Sequence, residues 1–98
     1  MDLRLDMPVV TTSQAVDGMR RPFLRSFGRT VVGQRHGRAA WTAFHAALMH
    51  GSGINIARSQ ARIAAEARNR RTMLVARWTT GRISRVVDRA VRAAADSA

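Results

Sequence analysis

Apolar residues recur at helical spacing along most of this chain, but the pattern starts late. Residues 1–21 show no sustained period; Pro8 interrupts early, and the run Val9, Val10, Thr11, Thr12 favours extended backbone. We expect residues 1–21 to form a flexible N-terminal arm and residues 22–98 to form one helical domain. Pro22 suits a first helical turn, where its missing donor costs nothing. From there Phe23, Leu24, Phe27 and Val31 share one face, and Arg25 and Arg29 lie opposite. Gly28 and Gly33 weaken this helix. Its end is expected near Gly33, before a basic connector of Gln34, Arg35, His36, Gly37 and Arg38.

A second helix follows. Trp41, Phe44 and Leu48 fall at i, i+3 and i+7, flanked by Ala40 and Ala47, and Gly51 is a natural terminator. Ser52 or Asn55 is placed to cap what comes next. The longest predicted helix covers residues 55–79, with Ile56, Ile63, Ala67, Leu74 and Trp78 as its apolar stripe. Arg58, Arg62, Glu66 and Arg77 face away from that stripe. Glu66 lies four residues from both Arg62 and Arg70, in reach of either. Arg71 falls within the stripe and is expected to lay its stem over apolar neighbours with its head in water. Thr79, Thr80 and Gly81 then break the register. The last segment sets Ile83, Val86, Val87, Ala90 and Val91 against Arg82, Arg85, Arg89 and Arg92, the cleanest amphipathic pattern in the chain. The expected fold is all-α: three or four amphipathic helices in a small bundle, with a flexible N-terminal arm.

Charge changes this picture. All 17 basic residues are arginine, against 6 acids, for a net charge of +11. Alanine and arginine without lysine is what GC-rich coding DNA produces, so the choice of arginine need not be functional. Codon bias does not explain the scarcity of acids. Up to Pro22, Asp2, Asp6 and Asp17 balance Arg4, Arg20 and Arg21; beyond it, the remaining arginines meet only Glu66, Asp88 and Asp96. A body this cationic repels itself, and a polyanionic partner relieves that repulsion.

Several chemistries are excluded or disfavoured. There is no cysteine, so disulfides, thiolate metal sites and cysteine nucleophiles are ruled out. No signal-peptide pattern opens the chain, and a cytoplasmic location is expected. Residues 39–57 carry no Arg, Asp or Glu and are long enough to cross a bilayer. They contain His45, His50, Ser52, Asn55 and two glycines, and their apolar residues make a face rather than a cylinder. We expect a buried helix and its turn, with no transmembrane span. His45 and His50, at i and i+5, do not share a helical face, and the acids form no pair, so no metal site, cofactor or catalytic residue is expected. His45 is expected to have a structural role beside Phe44. The stretch from Gly51 to Ala57 lacks the third glycine and the preceding strand of a nucleotide loop, and a lysine-free chain holds no P-loop lysine. A helix-turn-helix reader would use Asn55, Arg58, Ser59 and Arg62, but its apolar anchor positions fall on Ser52 and Gln60, or on Ser59 and Arg62.

What remains is a non-enzymatic binding protein. The arginines at 58, 62, 68, 70 and 71 are similar in composition, though not in any diagnostic spacing, to arginine-rich RNA-binding helices. The leading expectation is a small nucleic-acid-binding protein or ribonucleoprotein component contacting mainly phosphate, of RNA or DNA. Arg58, Arg62, Arg68, Arg70, Arg71, Arg77, Arg82, Arg85, Arg89 and Arg92 form the expected surface. The alternative is a helical interaction or assembly subunit, a homo-oligomer included, whose arginines meet an acidic protein surface or an anionic membrane. Trp41 and Trp78 sit on apolar stripes and are expected in the core rather than stacked on bases.

Overall fold

The computed structural model describes residues 13–97. They form four helices: α1 (Ser13–Arg25), α2 (Val31–Met49), α3 (Ile54–Arg70) and α4 (Thr80–Asp96), with a 3₁₀ turn at Leu74–Ala76 before the last. Consecutive helices pack side by side, and α4 closes the bundle against α1. The expected all-α bundle is therefore present. The expected arm at residues 1–21 is corrected in part: residues 13–21 are helical, and residues 1–12 lie outside the described residues.

Helix α1 forms despite Pro22, which lies in its interior and not in its first turn. The proline removes one backbone bond, but Val16, Met19 and Phe23 recur at i, i+3 and i+7 and are all buried. Tertiary packing thus outweighs the local cost. The helix tightens into i→i+3 bonds at Ser26, Phe27 and Gly28 and ends where Gly28 takes a φ of 81°, a conformation that only glycine adopts cheaply.

The expected connector at residues 34–38 is instead the interior of α2. Thr30 caps this helix, its hydroxyl accepting from the Gly33 N–H at 3.0 Å. Gly33 and Gly37 do not weaken it to breaking; they make room. A Cβ at Gly37 would lie 3.0 Å from Phe27 Cγ, and one at Gly33 would overlap the Phe27 carbonyl oxygen. The two glycines form a notch that receives Phe27. Val31, expected on the buried face, opens α2 and is exposed. At the other end Gly51 terminates α2 as expected: with its φ of 84°, Gly51 N–H bonds to Leu48 O and Ser52 N–H to Ala47 O, each at 3.0 Å.

Helix α3 shows the largest departure from the expected pattern. Its buried residues are Ala57, Ala61 and Ala65, all fully enclosed, whereas Ile56 and Ile63 are more than half exposed. A ridge of small residues at i, i+4 and i+8 lets neighbouring helices approach closely. Gly53, not Ser52 or Asn55, is its cap residue, and it offers no side-chain bond; Asn55 Oδ1 instead accepts from Arg58 Nη2 at 2.8 Å.

The helix also stops at Arg70 rather than Thr79. Arg71 lies beyond its end and is exposed, so it covers no stripe. The stop has a side-chain cause. Asn69 Nδ2 donates to the Trp78 carbonyl, and the Trp78 N–H donates to Asn69 Oδ1, both at 2.9 Å. This two-point clasp folds residues 71–79 back on themselves. Arg77 completes it, donating through Nε to Thr72 O at 2.9 Å and through Nη2 to Arg70 O at 2.7 Å.

Helix α4 is capped by Thr79, whose hydroxyl accepts from the Arg82 N–H at 3.1 Å. Ile83, Val86, Val87, Ala90 and Val91 are all buried, as the pattern predicts. The core is built on one run of rings. Phe23 meets Phe44 at 5.0 Å and Trp41 at 5.4 Å; Phe27 stacks on Trp78 at 6.3 Å. Both tryptophans are buried. His45 packs against Trp41 at 5.6 Å.

Candidate functional site

The ten arginines expected to form a binding surface fall into three groups. Arg82, Arg85, Arg89 and Arg92 lie exposed along the outer face of α4. Arg68, Arg70, Arg71 and Arg77 gather at the C-terminal end of α3 and the connector after it. Arg58 and Arg62 stand apart, nearer the N-terminal end of α3. The first two groups meet at Trp78: Arg77 precedes it, and the Arg82 guanidinium sits 4.1 Å over its ring.

Internal partners separate these arginines further. Arg58 Nε lies 3.9 Å from Asp88 on α4, and Arg62 Nε lies 3.9 Å from Glu66. These exposed pairs contribute little to stability, but they place an acid beside each of those two cations. The Arg58–Asp88 contact also ties α3 to α4, which run antiparallel. Arg77 is held by backbone carbonyls and Arg82 by the indole. Among the described residues no ion pair or hydrogen bond holds the guanidinium groups of Arg70, Arg71, Arg85, Arg89 and Arg92, although Asp88 and Asp96 lie one turn from Arg85 and Arg92 on the same helix. Arg68 and Arg70 also occupy the last turn of α3, where a cation complements the helix dipole.

A second cationic surface was not legible in the sequence. Arg20, Arg21 and Arg25 of α1 and Arg38 of α2 line an open cleft of about 660 Å³, with Gln34, Leu24 and a single acid, Asp17. Reading residues 1–21 as an arm and 34–38 as a connector hid this juxtaposition. The signal that would have found it is the spacing of Val16, Met19, Phe23 and Phe27, which puts Arg21 and Arg25 together on the opposite face of one helix.

The other missed residue is His36, which is fully buried. Its Nε2 lies 2.9 Å from Asn69 Oδ1, an atom that only accepts, so the ring proton sits on Nε2. Nδ1 has no partner. The ring packs on Trp78 at 5.0 Å between centroids. This histidine is a structural strut joining α2 to the Asn69–Trp78 clasp.

Among the described residues no group of histidines and acids is placed to hold a metal ion, and no helix is long and apolar enough to cross a membrane. Gln60 in one alignment, and both Ser59 and Arg62 in the other, are exposed, so neither alignment buries the anchor positions that a helix-turn-helix requires. No protein-family model, no curated protein and no solved structure matches this chain.

Proposed function

We propose that this protein is a small non-enzymatic nucleic-acid-binding protein, or a component of a ribonucleoprotein, that grips the sugar–phosphate backbone. The observation that carries this reading is the row Arg85, Arg89 and Arg92, exposed along one face of α4, where Asp88 and Asp96 are the helix's two acids and neither forms an ion pair with these arginines among the described residues. An ordinary solvated surface mixes both signs more evenly, and a helix face on which arginine outnumbers acid suits the repeated negative charge of a polynucleotide. The arginines at the end of α3 continue that surface, and the α1–α2 cleft supplies a second one. Affinity comes mainly from counterion release and carries little sequence information. A cytoplasmic location, where nucleic acid is abundant, belongs to the same reading.

The test is purification with and without nuclease, followed by titration of a duplex over a range of salt concentrations. The protein is expected to carry nucleic acid unless digested and to show a steep fall in affinity with salt. Binding that ignores salt, or no binding at all, sinks the proposal.

A second reading has its own support. Ile56 and Ile63, 57% and 52% exposed, stand two turns apart on α3, which suits packing against a partner helix and favours an assembly subunit. Under that reading the mass measured by sedimentation depends on these two residues and not on nuclease treatment.

A further inference from the structure

Met73, Leu74 and Val75 are 76%, 77% and 92% exposed. Isolated apolar residues on a surface are ordinary, but three in sequence at a turn are not. Nor do they sit on slack chain. Ala76 N–H bonds to Met73 O at 2.8 Å and Arg77 N–H to Leu74 O at 3.2 Å. The Arg77 guanidinium crosses the base of the turn to Thr72 and Arg70, and the Asn69 clasp fixes the far end at Trp78. The result is an exposed apolar knuckle, preceded in the chain by Arg70 and Arg71, whose guanidinium groups make no ion pair or hydrogen bond among the described residues.

We propose that this knuckle is a wedge that enters between adjacent base pairs of a duplex nucleic acid while Arg70 and Arg71 hold the flanking phosphates. This rests on the backbone-binding reading above and deepens it. The space between two base pairs is flat, apolar and bordered on both sides by phosphate, which is the complement of an apolar tip with cations at its base. Apolar side chains of this kind separate stacked bases and bend the duplex toward more contact with the protein. An anionic bilayer also takes an apolar tip with cations, but size decides against it. These three side chains carry fewer methylene groups than one myristoyl chain, which anchors a protein only marginally, whereas a base step is filled by one or two side chains.

The experiment uses the full chain and a duplex carrying 2-aminopurine, whose fluorescence rises on unstacking, in DNA and RNA versions. Saturating protein is expected to raise the fluorescence of at least one duplex. The variant M73S/L74S/V75S is expected to abolish that rise, to weaken binding by less than about tenfold, and to keep the salt slope. Circular dichroism confirms that it is folded; the single variant L74S is the milder alternative and is expected to reduce the rise. Binding without any rise, or an equal rise with both variants, overturns the wedge and leaves the phosphate-binding reading standing. Failure of the unaltered protein to bind either duplex overturns both. Uptake onto phosphatidylserine vesicles that needs the knuckle, without unstacking of either duplex, assigns it to lipid and also overturns the wedge.

Discussion

Asn69 ties three parts of this structure together. One amide satisfies both backbone groups of Trp78 and accepts from His36, so a single side chain joins α2, the end of α3 and the start of α4. Replacing it by alanine strands a buried ring N–H and a partly buried backbone pair. We expect Asn69→Ala to cost about 1–3 kcal/mol in urea unfolding and to increase hydrogen exchange across residues 71–79; a cost near zero would mean that the clasp is incidental. The glycines make a graded test. Alanine at Gly18, where a Cβ meets nothing within 4 Å, is expected to stabilise by about 0.5–1 kcal/mol through helix propensity. At Gly37 the ring of Phe27 must give, and the gain is cancelled. At Gly33 the obstacle is a backbone carbonyl, and a net loss of about 1–3 kcal/mol is expected. Thermal melting of the three variants should follow that order, and equal shifts would contradict the notch.

Helix α4 is the element whose pattern and structure agree fully: every residue expected inside is inside, and the four arginines expected outside are outside. Its amphipathic contrast is strong because aliphatic and charged residues never exchange faces. Helix α3 has a weaker contrast that misleads. Its isoleucines mark a stripe by hydropathy, but the buried face belongs to the alanines, since the close approach of α2 leaves no room for larger side chains. In α1 the proline obscures a sound periodicity. For function, the α4 row is separable from the core. The variant R85Q/R89Q/R92Q is expected to keep its far-ultraviolet dichroism and to flatten the plot of log affinity against log salt by about 2–3 units. An unchanged slope would remove α4 from the interface.

Among the described residues most arginines lie on two surfaces, the outer side of α4 with the end of α3 and the cleft between α1 and α2. Only the assembled bundle makes the second one, because its arginines come from different helices. The variant R20Q/R21Q/R25Q/R38Q is expected to reduce the salt slope by a further amount, up to about 3–4 units if all four meet phosphate. If its effect adds to that of the α4 variant, one polynucleotide or two touch both surfaces. No effect at all would make the cleft a solvated face. The bundle is also where the assembly alternative is decided: Ile56→Ser with Ile63→Ser leaves a monomer's sedimentation unchanged and dissociates an oligomer built on α3.

The chain pattern alone determined the helical class, the stop at Gly51, the course of α4 and the placement of the tryptophans in the core, because each rests on local periodicity or on a single residue's backbone freedom. Tertiary structure decided the rest. Whether Pro22 is tolerated depends on what the far side of α1 buries. Gly33 and Gly37 act as a notch or a break according to whether Phe27 arrives to fill it. Alanine outranks isoleucine as a core residue only when another helix lies close enough to demand it. The end of α3 is set by an amide that reaches nine residues along the chain to Trp78, and no window of hydropathy contains that bond.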